Sequence, residues 1–420
     1  MFLKFDHTSE DNDWKLLFIS LFILPFQTFF GIVILLFLVY QGWKKNYQQI
    51  ITDLTTRYLT ILTGFIFISS FFAYKKGDAW LGIVHFFPFF ILFLGVRSLV
   101  KNYQHLYYVI LPIIFNSVII SCIGFGEVKL GWETPSFIYK TLGWRLISYG
   151  TPEGRMSSVF PHANPLSLYL FTALFFAFAL LLDRIKKYKF ARINIFLIIT
   201  IIIDFIALIL TSSRNGWIIA FIGFIVFVIY YNWYLILQLL SLAGIMISWA
   251  SFGNLPLQNW VRKIVPSFIW LRLSDQLYPD RPLETLRFSQ WNFCFDLIKD
   301  RPFFGWGLRG FSFLYEEKTN TYLGHPHNFF LMLGAEIGLI ATGFFVFIIG
   351  NIYWQGIKTI YTFKNTGNNP IILFSFLVVF GGYTIYNFFD VSLFDLRLNI
   401  LAWIILAFIS GLSNQSQNVP

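Results

Sequence analysis

The chain has 420 residues, of which 57% are hydrophobic and only 12% are charged. Soluble domains carry about 25% charged residues, so this composition excludes an ordinary soluble protein. The net charge of +10 is spread thinly over loops, which excludes a nucleic-acid-binding patch as its explanation. Apolar blocks of about 18–25 residues can cross a bilayer, and they lack the alternation of a membrane β-barrel. The sequence therefore predicts an all-α fold, a polytopic membrane helical bundle.

The first apolar block, residues 15–40, is interrupted by the sequence LPFQTFF. This block predicts either one long tilted helix or two shorter helices hinged at Pro25. Further spans are predicted at 57–74, 80–98, 104–124, 162–183, 192–210, 215–231, 233–250, 328–350, 370–388 and 395–412. The chain is therefore expected to cross the membrane about 11 or 12 times.

The charges of the connecting segments predict the orientation of these spans. Lysine and arginine concentrate in alternate segments along the chain, namely 41–57, 97–105, 183–192 and 351–369. The positive-inside rule assigns those segments to the cytoplasmic side. The opposite, outer side then receives segments 75–79, 125–161, 211–215, 251–326 and 389–394. Lys75 and Lys76 are the main exceptions to this bias.

The longest outer segment, 251–326, contains a predicted helix in the sequence PDRPLETLRFSQWNFCFDLIKDRP. Asp280 is expected to cap this helix, with Pro282 in its first turn and Pro302 just beyond its end. Arg287 falls in the middle of an apolar stripe made of Leu283, Trp291, Cys294 and Ile298. An arginine on an apolar face requires an anion or a carboxylate as partner, unless its side chain snorkels to water.

Three other outer positions carry polar groups at the membrane boundary. Arg214 lies in the short turn TSSRNG, and Arg155 and His162 lie in EGRMSSVFPHANP just before a span. His327 stands at the start of the span 328–350, where a helix N-terminus disfavours the imidazolium form. A neutral imidazole can accept a proton from a hydroxyl. Taken singly, these residues also fit structural roles as snorkelling, turn-forming or capping side chains.

Two carboxylates lie inside predicted spans. Asp204 and Glu336 are both expected to act as structural hydrogen-bonding partners, and Gly334 and Gly338 form a small-xxx-small pair that favours close helix packing. The nearby sequence GWGLRG matches a dinucleotide-binding fingerprint only formally, because that fingerprint requires a preceding strand. This sequence is instead expected to form a flexible loop wall.

The four candidates Arg155, Arg214, Arg287 and His327 are all predicted on one side of the membrane. The planar fork of arginine suits phosphate oxygens, so several such forks can hold a diphosphate whose lipid tail stays in hydrocarbon. A neutral histidine beside them can deprotonate an acceptor hydroxyl, and the arginines can stabilise the leaving diphosphate without a metal. No carboxylate cluster that resembles a metal site is expected on that side.

The assembled motifs resemble the O-antigen ligase / O-antigen polymerase superfamily of bacterial membrane glycosyltransferases. The resemblance is carried in order by TSSRNGW, ETLRFSQWNFCFDLIKDRPFFGWGLRGF and HPHNFFLMLGAEIGLI, within residues 211–350. The segment RMSSVFPHANPLSLY and the pattern of spans extend the resemblance over most of the chain. Each motif is weak alone, and their combination in this order is fairly specific.

This resemblance implies a bundle of about 12 membrane helices that forms one domain over residues 1–420, with 251–326 as a large periplasmic loop containing amphipathic helices. It implies a multi-pass protein of the bacterial inner membrane whose active site faces the periplasm. The implied reaction moves a glycan from undecaprenyl diphosphate to a glycolipid or glycan acceptor, with lipid A core as the first choice. No cofactor, metal or nucleic acid is implied, and the bilayer is a partner.

The resemblance also assigns roles to residues by motif. Arg214 and Arg287 are implied as diphosphate-binding catalytic residues, and His327 is implied as the base or the acceptor-orienting group. The candidate substrate-binding residues, chosen from the same motifs and from their outer position, are Arg155, His162, His325 and Asn328.

The acceptor stays open at this point. Ligases, polymerases and protein O-oligosaccharyltransferases share these motifs, and the chain lacks a strongly basic patch for lipid A core. A membrane transporter is the rival class, and Asp204 and Glu336 are the features that would suit it. The absence of internal repeats and the long aromatic outer segment speak against that class.

Overall fold

The computed structural model describes residues 9–185, 191–276, 282–365 and 369–417. Within these ranges every regular element is a helix, so the predicted all-α fold is confirmed. The predicted cap at Asp280 lies outside the described residues.

Eighteen α-helices are numbered here in chain order. They are α1 (Ser9–Ile23), α2 (Thr28–Thr52), α3 (Leu54–Phe71), α4 (Lys76–Gly82), α5 (Phe87–Leu99), α6 (Tyr107–Leu130), α7 (Ser136–Leu142), α8 (Ala163–Ile185), α9 (Arg192–Leu210), α10 (Arg214–Tyr230), α11 (Tyr234–Phe252), α12 (Leu257–Ile264), α13 (Ser267–Leu273), α14 (Arg287–Asp300), α15 (Gly310–Thr319), α16 (Phe329–Asn365), α17 (Ile371–Tyr386) and α18 (Leu396–Gln417). Short 3₁₀ turns occur at Ile83–His85, Tyr103–Leu106, Leu283–Thr285 and Ser392–Phe394.

The helices identify a multi-pass membrane protein. Among the described residues, nine helical segments are long and apolar enough to cross a bilayer, and α10 and α17 are shorter apolar helices. The ambiguous block 15–40 forms two helices, α1 and α2, with Pro25 in the turn between them. The expected total of 12 spans and the side on which each loop lies stay predictions.

The helices differ in how far they are enclosed by their neighbours. Helices α8 and α18 are the most buried of the candidate spans, and α18 packs against α5 and α16 while α8 packs against α9 and α17. Helix α11 is the most exposed, and its leucines and isoleucines cover the outside of the bundle. An exposed apolar surface of this kind suits contact with lipid tails.

Helix α16 is broken at Gly338, where the backbone adopts a left-handed conformation with φ of 80°. The break removes helical donors for the preceding carbonyls, and the loop after α14 supplies replacements. Trp306 N–H donates to Ala335 O at 2.9 Å, and Gly307 N–H donates to Glu336 O at 2.8 Å. The G-x-G sequence is therefore bonded along a membrane helix, and the expectation of a flexible loop wall was wrong.

Helix α14 begins later than the sequence predicted. It starts at Arg287, after a 3₁₀ turn and an extended Leu286, and it ends at Asp300 before Pro302 as expected. Leu283 lies outside the helix and is exposed, so its predicted place in the apolar stripe was wrong. Arg287 stands at the N-terminus of the helix rather than in the middle of an apolar face.

Both carboxylates inside membrane helices have local structural partners, as expected. Asp204 of α9 accepts hydrogen bonds from Ser117 at 2.8 Å and Ser121 at 3.3 Å, both on α6. The carboxylate of Glu336 accepts from the backbone N–H of Phe311, in the first turn of α15. Each carboxylate therefore ties two elements of the bundle together.

Candidate functional site

The centre of the site is Asp390, in the short connection between α17 and α18. This side chain is buried. Its Oδ1 lies 3.2 Å from His327 Nδ1 and accepts from the Val391 N–H at 3.0 Å. Its Oδ2 accepts from Asn164 Nδ2 at 2.7 Å and from the Tyr386 hydroxyl at 3.2 Å. A carboxylate with this many donors is held in one orientation.

His327 lies in the connection that leads into α16. Its backbone is left-handed, with φ of 51°, and its N–H donates to His325 Nδ1 at 3.2 Å. A left-handed conformation is unfavourable for a residue with a side chain, so surrounding contacts must maintain it. The two imidazole rings meet edge to face with centroids 4.5 Å apart.

The contact between His327 and Asp390 determines what the imidazole can do chemically. In the tautomer with a proton on Nδ1, His327 donates a hydrogen bond to Asp390. The lone pair of Nε2 is then available to accept a proton from a hydroxyl. A histidine oriented by a buried carboxylate is the arrangement of a general base.

The electrostatics of this cluster favour a charged carboxylate beside a neutral second histidine. Burial alone would raise the pKa of Asp390, but the hydrogen bond from His327 and the nearby positive charge of Arg287 hold that pKa well below its usual range. Burial and the neighbouring charge of His327 lower the pKa of His325 to about 4. His325 is therefore neutral near pH 7.

The two arginines assigned to a diphosphate each stand at the first residue of a helix, Arg214 in α10 and Arg287 in α14. Arg287 interacts electrostatically with Asp390, Arg214 and Asp275, and its pKa is lowered chiefly by burial. Arg214 Nη1 lies 3.4 Å from Asp275 Oδ1. Helix N-termini carry partial positive charge, so each helix start adds to the attraction of its arginine for anions.

Arg155 reaches the same cluster through Asn164. Its Nη2 donates to Asn164 Oδ1 at 2.6 Å, and its Nε donates to the Thr211 carbonyl at 3.0 Å. Ser213 Oγ, which caps α10, also donates to Asn164 Oδ1 at 3.1 Å. These contacts hold Asn164 against Asp390 and connect the segment before α8 to the start of α10.

Glu127 fixes the segment that carries Arg155. Its carboxylate is buried and accepts from the backbone N–H groups of Ser157 at 2.9 Å and Ser158 at 2.7 Å. The predicted turn before α8 is thus held in place from α6.

The structure brings Arg155, Arg214, Arg287, His325 and His327 into one cluster around Asp390. Two other candidates have different surroundings. His162 is exposed in the turn at the start of α8, and Asn328 is buried with its Oδ1 accepting from the Leu331 N–H at 3.0 Å. The latter contact is a helix cap for α16. The roles assigned to all these residues stay predictions.

Sequence reasoning missed four members of the cluster. They are Asn164, Asp275, Tyr386 and Asp390. Asp390 carried a usable signal, because it is an acid at a membrane boundary in a segment already assigned to the outer side. Asn164 lies in EGRMSSVFPHANP beside the candidates Arg155 and His162, and nothing in its local sequence indicates a partner far along the chain.

The same cluster contains a grouping that could hold a metal ion. Ligand atoms of His325, His327 and Asp390 lie within 4.8 Å of one another. This grouping contains one carboxylate and two imidazoles, so it is not the carboxylate cluster that the sequence analysis considered, and the expectation of a site without a metal stays a prediction. The nearby guanidinium of Arg287 opposes a cation at this position.

An apolar cavity of about 630 Å³ lies between α16, α17 and α18, next to the cluster. Its lining includes Phe329, two residues after His327, and Asn387, three residues before Asp390. Its other walls are mostly aromatic and aliphatic side chains. A cavity of this size and lining suits a hydrocarbon chain.

Comparison with known families places part of this cluster in a recognised domain. Residues 199–346 match the family model described as O-Antigen ligase. This match confirms the resemblance inferred from the motifs, and it contains Arg214, Arg287 and His327. Arg155, Asn164 and Asp390 lie outside the matched range. No curated protein matches the chain.

Proposed function

We propose that this chain, whose residues 199–346 match the O-antigen ligase family model, transfers a glycan from undecaprenyl diphosphate to a hydroxyl of an acceptor, with lipid A core as that acceptor. The reaction is assigned to the periplasmic face of the bacterial inner membrane and needs no metal. The contact between His327 and Asp390, beside the two helix-start arginines, carries this proposal.

The arginines provide the donor site. The forks of Arg214 and Arg287 suit the oxygens of a diphosphate, and α14 has no side-chain cap, so its first N–H groups can also face an anion. Positive charge at this position stabilises the diphosphate most as it leaves.

His327 acts as the base. Its Nε2 takes the proton of the acceptor hydroxyl while the acceptor oxygen bonds to the anomeric carbon of the donor sugar. The bond between that carbon and the diphosphate oxygen breaks, and the electron pair leaves with undecaprenyl diphosphate. Asp390 holds the imidazole in place and stabilises the imidazolium that forms.

The apolar cavity beside the cluster supports a lipid-linked donor. It lies among membrane helices and is lined almost entirely by apolar groups, including Phe345, Tyr353 and Trp403. A polyprenyl chain in this cavity would leave its diphosphate near His327 and Asp390. A nucleotide sugar has no hydrocarbon chain that could fill such a cavity.

A transfer assay with purified protein in lipid nanodiscs tests this function. The parent protein is supplied with undecaprenyl-diphosphate glycan and lipid A core, and Arg214→Ala, Arg287→Ala and His327→Ala are each expected to lower transfer by about 10²-fold or more. Lys318→Ala is the matched control, because that side chain is exposed on the same outer segment. Activity should persist in the presence of a chelator.

The product that forms distinguishes the three kinds of enzyme in the superfamily. A product formed only with lipid A core supports the ligase, longer lipid-linked chains alone support a polymerase, and a glycosylated protein supports an O-oligosaccharyltransferase. If the parent protein moves lipid-linked glycan across vesicles and never cleaves the diphosphate linkage, the enzyme proposal is lost to the transporter class.

A further inference from the structure

A second cavity, of about 230 Å³, lies against His325 and is separate from the apolar cavity. Its walls come from the 3₁₀ turn before α5, the start of α15, the connection before α16 and the turn before α18. The lining includes the side chains of Arg309, His85, Tyr322, Phe313 and Phe394. This combination of a cation, polar groups and aromatic rings differs from the lining of the first cavity.

Arg309 is held in an unusual conformation at the edge of this cavity. Its φ is 65°, a left-handed value for a residue with a side chain, and it directly precedes α15. The buried carboxylate of Glu336 accepts hydrogen bonds from the backbone N–H groups of Arg309 and Phe311, which fixes this position. A strained backbone that a buried group maintains indicates that the position of the Arg309 side chain has a functional role.

The guanidinium of Arg309 is only loosely paired. Its Nη1 lies 3.8 Å from Asp78 Oδ1, which is longer than a charge-assisted hydrogen bond. A second cation is close, because the ammonium of Lys75 lies 3.8 Å from the centre of the Phe313 ring. Among the described residues that line the cavity itself, Arg309 is the one arginine or lysine and no aspartate or glutamate is present, so the cavity favours an anion.

Aromatic rings form the opposite wall, close to the proposed base. The ring of Phe394 stacks on His325 with centroids 5.6 Å apart and meets His85 edge to face at 5.2 Å. Ring faces of this kind pack against the C–H face of a sugar, and the hydroxyl of Tyr322 can bond to sugar oxygens. His325 is shared with the cluster, so a sugar here lies beside His327.

We propose that this second cavity is the acceptor subsite and that it takes a sugar ring bearing a carboxylate or a phosphate, bound through Arg309. The proposal rests on the function proposed above, and it names a specificity-determining residue for that reaction. The donor diphosphate and the acceptor sugar then approach His327 from different sides.

A binding experiment that needs no transfer tests the chemistry of the cavity. Saturation-transfer NMR on the full chain in nanodiscs compares methyl glucuronide with methyl glucoside, which lacks the negative charge. The glucuronide should bind more tightly, and Arg309→Gln should weaken its binding by about tenfold. Asp78→Asn, which removes the competing carboxylate, should strengthen it, and Lys318→Gln should leave it unchanged.

Two results of the binding experiment would overturn the proposal. Equal binding of both glycosides, or unchanged glucuronide binding in Arg309→Gln, removes the anion site. Loss of binding in Arg287→Gln with retention in Arg309→Gln assigns the anion to the diphosphate site instead.

A kinetic experiment decides whether the cavity takes the acceptor or the glycan of the donor. With an acceptor that carries a charged sugar, Arg309→Gln should raise the acceptor KM by about tenfold and leave kcat and the donor KM unchanged. A rise in the donor KM alone would overturn the acceptor assignment. Absence of transfer by the parent would overturn the proposed function, while the binding result still decides whether an anionic sugar binds.

Discussion

At the scale of single residues, the contact with Asp390 determines which ring nitrogen of His327 can act as a base. An imidazole at a membrane boundary can serve as a cap, a hydrogen-bond donor or a base, and the sequence left these alternatives open. The 3.2 Å contact between Nδ1 and the buried carboxylate selects the orientation in which Nε2 is free. The carboxylate also accepts hydrogen bonds from the distant Asn164 and from Tyr386 and Val391 in its own segment, which favour its charged form.

Replacement of Asp390 by asparagine tests this orientation. An amide that donates to Nδ1 would favour the other tautomer, so Asp390→Asn is expected to lower kcat by about 10²–10⁴-fold with little change in the donor KM. Asp296→Asn, at an exposed position on α14, is the matched control. A kcat within about twofold of the parent, with the protein folded, would remove Asp390 from the mechanism.

The lowered pKa of His325 predicts that the free energy of unfolding depends on pH. Burial and the charge of His327 lower its folded-state pKa to about 4, below its ordinary value of 6.5. Between those values the unfolded chain binds the proton more readily, so the folded state loses stability as pH falls from 6.5 towards 4. The loss is about 1–3 kcal/mol for one such group.

Thermal unfolding in detergent at pH 7 and pH 5 measures this effect. The Tm of the parent should fall between these pH values, and the fall should be smaller in His325→Gln. His162→Gln, at an exposed position, should behave like the parent. An equal fall in parent and His325→Gln would contradict the prediction.

At the scale of elements, the break in α16 determines where the loop after α14 lies. The sequence indicated Gly334 and Gly338 as a packing pair, and that interpretation treated the helix as regular. A left-handed glycine inside an apolar run has the same composition as a packing glycine, so periodicity cannot distinguish them. The start of α14 was missed for a similar reason, because Pro282 fits a helix start as well as the turn that precedes it.

Gly338→Ala is expected to destabilise the protein and to lower transfer. A Cβ at Gly338 would collide with the carbonyl of Phe303, and φ of 80° is strained for alanine. The cost of such strain is about 1–3 kcal/mol, and it should also displace the loop bonded to α16.

Gly343→Ala, five residues further along the same helix, is the matched control. Among the described residues, none has an atom within 4 Å of a Cβ built there, and alanine is the better helix former. Tm and transfer rate measure both variants. Equal behaviour of the two would mean that the break does not depend on glycine.

At the scale of the whole molecule, apolar length predicted the spans well and could not predict how they assemble. Hydrocarbon thickness alone sets the length of a membrane helix, so each span is visible locally. The bond between Asn164 and Asp390 joins residues on opposite sides of the chain's midpoint, and no local pattern encodes such a pair. The positions of the positive charges narrowed the set of possible partners, because they predicted the start of the span 162–183 and the segment 389–394 on the same side.

Cysteine labelling tests the predicted orientation of the whole bundle. In a Cys122→Ala background, which leaves only the buried Cys294, a membrane-impermeant maleimide should label Lys318→Cys in intact cells. Lys358→Cys should be labelled only after permeabilisation, because it lies in the last two turns of α16, near the end opposite to Phe329. The reverse pattern would invert the topology and move the site to the cytoplasmic side.

The hydrogen bonds between residues 302–307 and the broken part of α16 restrict the routes by which substrates reach His327. The loop that contains residues 302–307 cannot move away from α16 without losing those backbone bonds. A lipid-linked reactant can instead enter from the bilayer between α16 and α17. The cavity wall there is apolar, and this route does not require those backbone bonds to break. Two-dimensional diffusion in the membrane, rather than capture from bulk water, would then set how quickly the lipid-borne reactant arrives.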